Sequence, residues 1–353
     1  MLFSYTYINH DMEIMQSYMD YIFYEVWLKS SEFDEFELTL FDNEKDLQEI
    51  MKTFYYLPEN KDSIRWGRYF LERVKDIFEI FKMLDDNQLK QLEYWYEVNN
   101  KIEALCDGEN SPIMYKELDL FHKELSGEIY KLYSNLYNKK VIGLKDFTSR
   151  IGKIDDHYKK FMSENTQQQQ VCPFCGINEM KGIYHTKREA YDHYLPKVQY
   201  PFNSINFKNL VPMCHECNSS YKSVSNPIFT KEKKRRKSFY PYAMISPNIQ
   251  ISVNLSSSDI IPKNIKLVIK STTEEKLKTW KELFSIEERY KAIFSGVDAR
   301  YWLTQVVDEA NIRSESCEKC FSVKKELARN NPYNEKNFLK IPFLEACQRI
   351  GLF

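Results

Sequence analysis

The residues whose types and spacing could do chemistry lie between positions 172 and 222. Two Cys-x-x-Cys pairs stand there with 38 residues between them, and they comprise Cys172, Cys175, Cys214 and Cys217. Four thiolates in two such pairs are typical of a tetrahedral zinc site, which has no open position for water. We therefore expect structural Zn²⁺ here, the alternative being four unrelated buried cysteines.

A second group of polar residues lies within the same segment. Asp192 and His193 are adjacent, and Asn218 directly follows the last cysteine. Carboxylate and amide oxygens are ligands that Mg²⁺ or Mn²⁺ prefers, and a histidine with a pKa of about 6.5 can act as a base at physiological pH. These residue types together indicate a metal site that activates water.

This segment resembles an HNH endonuclease domain of the His-Me finger, or ββα-metal, superfamily, in the variant with two zinc-binding pairs. The motif elements that match are Asp192-His193 with Pro196-Lys197, Asn209-Leu210-Val211-Pro212, and Cys214-x-x-Cys217-Asn218. The resemblance covers about a seventh of the chain. It implies a small, zinc-stapled finger of the ββα-metal fold.

The resemblance also implies a role for each matching residue. His193 would be the general base, and Asn209 would orient its ring. Asp192 and Asn218 would bind the catalytic Mg²⁺ or Mn²⁺. The chain departs from many relatives in having Tyr221 where they carry a lysine, with Lys222 following, and in having asparagine rather than histidine at position 218.

The expected function is phosphodiester hydrolysis in nucleic acid, with DNA favoured over RNA. By analogy of architecture, a large helical addition to an HNH domain is similar to effector nucleases of bacterial antiphage or restriction systems, which are often paired with an ATPase. A homodimer is a further expectation, because one finger has one catalytic metal site. The alternative is a noncatalytic, zinc-stapled module that binds nucleic acid or protein.

Charge is distributed unevenly along a chain whose net charge is −1. Residues 1–170 carry −11, residues 171–250 carry +7 and residues 251–353 carry +3. Six of the seven residues of Lys231–Lys237 are basic, which favours contact with a polyanion over a merely solvated loop. The expected nucleic-acid contacts are Lys197, Lys222, Lys233, Lys234, Arg235 and Arg236.

The remaining composition predicts a cytoplasmic protein without a membrane span. No apolar run approaches the roughly 20 residues that a membrane helix needs, and no signal peptide is evident at the N-terminus. Cysteines in a cytoplasmic chain indicate metal binding or burial. The pair Cys317 and Cys320 has no partner pair nearby, so we interpret it as a chance spacing on a helix.

The elements that must position the site are mainly helical. Only 9 glycines occur among 353 residues, and apolar residues recur at helical spacing in Asp11–Leu28, Ile64–Leu84, Asn87–Leu105 and Met114–Tyr137. We predict a mainly α protein with a small α+β, zinc-stapled finger. Its parts are a helical docking or regulatory domain (1–165), a Gln-rich linker (166–170), the HNH domain (171–240), and a C-terminal α+β extension with a strand pair and helices (241–353).

Overall fold

The computed structural model describes residues 1–56, 65–137, 140–165 and 170–353. Within these ranges the chain is mostly helical and contains two small two-stranded sheets, which confirms the mainly α prediction. Of the predicted linker 166–170, only Gln170 lies within the described residues. No helix in the described ranges is both long and apolar enough to cross a membrane.

Nine α-helices lie in the described part of the first 165 residues. They are α1 (Ile14–Tyr21), α2 (Lys45–Tyr56), α3 (Arg65–Phe81), α4 (Asp86–Asn100), α5 (Ile102–Asp107), α6 (Tyr115–Phe121), α7 (Lys123–Leu136), α8 (Lys145–Ile151) and α9 (Ile154–Asn165). A π-helical turn continues α1 over Ile22–Trp27, and 3-10 turns cover Asp11–Glu13, Ser30–Glu32 and Leu38–Phe41.

Helix α3 shows why these segments are helical. Phe70, Val74 and Phe78 recur every four residues and are fully buried, so the apolar side of the helix faces the core. Burial of each such side chain contributes about 1.5–3 kcal/mol. The predicted helix Met114–Tyr137 divides at His122, whose backbone is extended and whose ring accepts a hydrogen bond from Leu125 N. It is therefore two helices, α6 and α7.

The remaining elements carry the cysteine segment and the C-terminal region. They are β1 (Tyr191–His193), β2 (Leu210–Pro212), the π-helical "finger helix" (Glu216–Lys222), β3 (Gln250–Leu255), a 3-10 turn (Pro262–Asn264), β4 (Ile265–Lys270), α10 (Glu274–Phe284), α11 (Ile286–Phe294), α12 (Val297–Arg313), α13 (Cys317–Asn330), a 3-10 turn (Asn334–Lys336) and α14 (Asn337–Arg349). The antiparallel pair β3–β4 confirms the predicted strand pair. Helix α14 packs on β3, and α10 packs on the finger helix.

A loop between β1 and β2 joins the cysteine segment to the helical first half. Phe202 is fully buried in this loop although its φ is +76°, a conformation that costs about 1–3 kcal/mol for a residue other than glycine. Its ring packs on those of Phe23, Tyr96 and Tyr133, with centroids 5.9, 5.3 and 5.7 Å away. The aromatic contacts offset the backbone strain, and they hold the loop against α4 and α7.

Candidate metal centre and active site

Four buried cysteines form a "thiolate cluster" of Cys172, Cys175, Cys214 and Cys217. Their four sulfur atoms all lie within 4.8 Å of one another, and Cys175 Sγ is 4.0 Å from Cys214 Sγ. Zn–S bonds of about 2.3 Å in a tetrahedron place sulfurs about 3.8 Å apart. The cluster is therefore positioned to bind a metal ion and is compatible with structural zinc.

The first cysteine pair lies on a tight turn that depends on Gly176. The N–H groups of Cys175 and Gly176 donate to Cys172 O at 3.2 and 2.7 Å. Gly176 has a φ of +66°, and a Cβ there would come within 2.4 Å of Leu2 Cδ1 and 2.6 Å of Phe338 Cζ. Only glycine satisfies both the left-handed backbone and this close packing.

Hydrogen-bond donors from three directions reach the sulfurs. Ile177 N donates to Cys175 Sγ at 3.4 Å, and Asn178 Nδ2 donates to Cys214 Sγ at 3.4 Å. Arg289 on α11 donates through Nη1 to Cys217 Sγ at 3.3 Å. Because four thiolates around one Zn²⁺ leave two negative charges, a guanidinium at this position stabilises the metal-bound form.

Arg289 is itself held in place by its neighbours. Its Nη2 lies 3.2 Å from Glu216 Oε2, its carbon Cζ lies 4.1 Å from the centroid of the Tyr221 ring, and the residue is 7% exposed. Arg289 is 72 residues beyond Cys217, and the sequence contains no metal-ligand spacing that includes it. Sequence reasoning therefore missed it.

Asp192 and His193, the "Asp-His centre", lie on β1 beside β2. The register pairs Asp192 with Val211 and His193 with Leu210. The finger helix follows β2 after three residues. This order of two antiparallel strands and a helix is the local arrangement that the resemblance implied.

The carboxylate of Asp192 is buried beside a buried lysine. Lys222 Nζ lies 2.7 Å from Asp192 Oδ2 and donates to His193 O at 3.1 Å. The side chain of Lys222 is 0% exposed and that of Asp192 is 6% exposed. Among the described residues, this ionic contact is the close polar partner of Oδ2. Burial raises the pKa of Asp192 to about 6, and Lys222 opposes that shift.

The ring of His193 is oriented by a backbone carbonyl. Its Nε2 lies 2.9 Å from Ser204 O, and since a carbonyl only accepts, the proton belongs on Nε2. Nδ1 then keeps its lone pair and has no hydrogen-bond partner among the described residues. Burial lowers the pKa of His193 to about 3, and the charges of Lys197 and Lys222 add to that shift. The imidazole is therefore neutral at physiological pH.

Asn209 acts on the backbone beyond the histidine. Its Oδ1 accepts from Leu195 N at 2.8 Å, and its Nδ2 donates to Leu195 O at 3.0 Å. The expected direct contact with the His193 ring is not made, because Ser204 O occupies that role. Ser204 is in turn anchored to α7, where its hydroxyl donates to Tyr133 O at 2.6 Å.

Asn218 lies on the finger helix four residues before Lys222 and is half-buried. Its side chain makes no hydrogen bond to Asp192 or His193 in this structure. Tyr137 covers the other side of the histidine, with the two rings edge-to-face and their centroids 4.8 Å apart. The Asp-His centre is therefore bounded by the residue that directly follows α7 in the helical first half.

The basic residues divide into buried and exposed groups. Lys233 and Lys234 are exposed, and Lys197 is half-buried and donates to Ser134 O at 3.0 Å. Arg235 donates to four backbone carbonyls, and Arg236 is 8% exposed. We correct the expectation of nucleic-acid contacts for Lys222, Arg235 and Arg236, because their charged groups are used inside the protein.

The other cysteines and histidines of the segment fit the simpler interpretation. Cys317 and Cys320 lie in the first turn of α13 and remain outside the thiolate cluster. His185 and His215 are exposed.

The thiolate cluster is thus a candidate metal-binding, zinc-finger-like centre, and the Asp-His centre lies on the strand pair beside it. Both follow from local geometry alone. A comparison of the chain with protein-family models, with curated proteins and with solved structures finds no match.

Proposed function

We propose that this chain is a metal-dependent HNH endonuclease that hydrolyses phosphodiester bonds in DNA. The observation that carries the proposal is the geometry of His193, whose ring is fixed through Nε2 by Ser204 O, is adjacent to a buried carboxylate and leaves Nδ1 available as an acceptor. In this role Nδ1 of His193 accepts a proton from the attacking water. The thiolate cluster holds zinc and braces the finger helix.

The donor set beside His193 fits a hard divalent cation. Asp192 offers a carboxylate and Asn218 an amide oxygen, which suits Mg²⁺ or Mn²⁺ bound through few protein ligands, water and substrate phosphate. When bound, such an ion stabilises negative charge on the phosphate and the leaving oxygen. The chain's own residues keep the base neutral and fix its ring, while Lys222 balances the carboxylate.

One observation favours a second candidate function. The Lys222 ammonium already balances Asp192, at 2.7 Å from Oδ2, so the carboxylate does not need a metal ion for charge balance. A noncatalytic zinc-stapled module that binds nucleic acid or another protein would have this arrangement. The two candidates differ in whether His193 is needed for strand cleavage.

A plasmid-nicking assay with added Mg²⁺ or Mn²⁺ separates them. We expect the intact chain to nick supercoiled DNA, His193→Ala to lose at least about a hundredfold in rate, and the exposed control His185→Ala to cleave normally. Equal cleavage by His193→Ala and the parent would overturn the catalytic role. Absence of cleavage with either metal, while DNA binding persists, would favour the noncatalytic module.

We include two assembly features in the proposal. The net charge of −11 over residues 1–170 discourages contact with DNA and suits a protein partner, for which an ATPase of a bacterial defence complex is the architectural analogy. Cutting both strands with one centre per chain favours a homodimer. Native purification followed by mass spectrometry tests both, and a monomer that copurifies with nothing would contradict them.

A further inference from the structure

A cleft of about 750 Å³ opens beside the finger helix, outside the Asp-His centre. Its walls come from the start of α6, the loop after β1, the last turn of the finger helix with the segment that follows it, and the end of α10. Pockets of roughly 300–1,000 Å³ typically hold small ligands. A nucleotide fits this scale, whereas a DNA duplex does not.

Aromatic side chains line the cleft, and arginines hold two of them in place. Tyr221 packs against Arg289, and Arg235 Cζ lies 5.4 Å from the centroid of the Phe229 ring. Both aromatic residues are partly exposed. Rings that are fixed before binding lose little entropy when a planar base stacks on them.

Two lysines that line the cleft are exposed and have no ion pair in the described part of the chain, namely Lys231 and Lys233. Two other cations of the lining are already paired, Lys116 with Glu117 and Arg236 with Glu282. The charge left available to a ligand is therefore positive, which suits phosphate.

The turn that carries these lysines has a strained backbone. Lys233 has a φ of +63°, and it is held there because its N–H donates to Thr230 O at 3.0 Å while Thr230 N donates to Lys234 O at 2.9 Å. Such conformations in residues other than glycine cluster at binding sites. This turn thus fixes the position of a cationic group on the cleft.

The amides of the wall are satisfied internally. Gln199 Nε2 donates to Val224 O at 2.7 Å, and Asn226 Nδ2 donates to Gln199 Oε1 at 2.8 Å. Their hydrogen bonds make the wall rigid, and they leave few groups free to read the edges of bases. Recognition here therefore depends on stacking and phosphate charge, without sequence preference.

We propose that this cleft binds an unpaired stretch of nucleic-acid strand. Bases stack on Tyr221 and Phe229, and phosphates contact Lys231 and Lys233. The inference rests on the proposed function in one respect, because it assumes that the chain is a nuclease. It names single-stranded nucleic acid as the ligand bound beside the finger helix. An acidic peptide would satisfy the lysines, but only a nucleic-acid strand has a stacking base beside each phosphate.

Fluorescence anisotropy without added divalent metal tests the proposal, because binding is then read without cleavage. The probe is a fluorescein-labelled oligothymidylate of about 12 nucleotides, compared with the same strand paired to its complement. We expect the single strand to bind more tightly. Lys231→Glu with Lys233→Glu should weaken its binding by at least tenfold and lower the salt slope by about two.

A matched pair and a stacking variant complete the test. Lys263→Glu with Lys266→Glu changes the same charge at exposed positions near β4 and should leave binding within about twofold of the parent. Phe229→Ala should weaken binding by about fivefold or more and relieve the quenching of a 2-aminopurine oligonucleotide. Thermal melting of each variant checks that it is folded.

Two results would overturn the inference: cleft variants that bind like the control pair, or a duplex that binds as tightly as the single strand. Its failure is distinguishable from that of the proposed function. Loss of cleavage in His193→Ala together with normal binding by the cleft variants would refute the proposed binding cleft and leave the proposed nuclease activity standing. Binding that depends on the cleft, in a chain that never cleaves, would refute the proposed nuclease activity and leave the proposed binding cleft standing.

Discussion

The thiolate cluster and the Asp-His centre lie on the same finger and balance charge in opposite ways. Around the sulfurs, N–H donors from Ile177, Asn178 and Arg289 converge on a group whose remaining charge calls for a metal. Around Asp192, a lysine ammonium supplies the positive charge. The cluster is positioned to bind an ion from outside the chain, whereas the Asp-His centre is charge-balanced by the chain itself.

This difference in charge balance indicates which centre can bind and release ligands during function. The sulfurs are enclosed, and four thiolates leave a bound zinc no open position. Among the residues that the structure describes, Nδ1 of His193 has no hydrogen-bond partner, and Oδ2 of Asp192 is contacted by Lys222 alone. Groups with unused hydrogen-bonding capacity can engage water, metal or substrate. We therefore expect ligands to exchange at the Asp-His centre and a metal to stay bound at the thiolate cluster.

The largest effect is expected from removing a thiolate. Cys214→Ser should abolish zinc binding and prevent stable folding, because structural zinc contributes roughly 10–16 kcal/mol in zinc-finger peptides and a whole domain has about 5–15 kcal/mol of stability. Metal analysis and circular dichroism measure both outcomes. Cys317→Ser, outside the cluster, is the control. A folded parent without zinc would refute the metal assignment.

Breaking the ion pair tests the opposite side of the comparison. Lys222→Met leaves a buried carboxylate unpaired, and we expect the free energy of unfolding to fall by about 3–5 kcal/mol. Urea denaturation measures it, with the exposed Lys234→Met as the control. The double variant Asp192→Asn with Lys222→Met should recover most of the loss. A single variant as stable as the parent would mean that the pair has no structural role.

A smaller effect is expected at Arg289, which joins α11 to the sulfurs. Arg289→Met removes the charged donor to Cys217 Sγ and should weaken zinc retention by about 10–100-fold. Competition with a chromophoric chelator gives the affinity. Arg300→Met on the exposed side of α12 is the matched control. Equal zinc affinity in the two variants would show that the guanidinium is incidental to the metal.

The smallest effect is a pH dependence of stability from His193. Its folded-state pKa of about 3 lies below the unfolded value of about 6.5. Between these two values His193 is protonated in the unfolded chain and neutral in the folded chain. The contribution is complete above pH 6.5 and is lost as pH falls towards 3. Between pH 6.5 and 5 the loss is at most about 2 kcal/mol.

His193→Gln should flatten this dependence when urea midpoints are compared at pH 7 and pH 5. His157, whose pKa burial also lowers to about 3, remains in both proteins, as does Asp192, so the difference between them isolates His193. An unchanged pH profile in the variant would contradict a buried, neutral imidazole.

Cysteine spacing was enough to predict the thiolate cluster, whereas the strand that carries Asp192 and His193 is known from the structure. Ligand spacing is local information, and so is the periodicity that predicted α3 and the β3–β4 pair. The sequence also drew attention to Lys222, but as a surface contact. A lysine is rarely buried, and its pairing with Asp192 depends on the packing of β1 against the finger helix.

The arginines of the basic run show a second limit. Arg235 and Arg236 look like part of a charged surface in the sequence, yet their guanidinium groups are used by backbone carbonyls and by Glu282. Long side chains can bury their stems and heads when carbonyl acceptors are nearby, and two acceptors of Arg235, Leu105 O and Asn110 O, come from residues more than 100 positions away.

The packing around the first cysteine turn has a consequence for the timing of synthesis. Trp280 Nε1 donates to Phe174 O and Tyr290 OH donates to Cys175 O, while Phe338 presses on Gly176. A ribosome adding about 5–20 residues per second needs roughly 5–20 s to proceed from this turn to Trp280. The thiolate cluster therefore reaches its final packing late. Any hydrolytic activity that depends on this packing cannot begin until the C-terminal helices have been made.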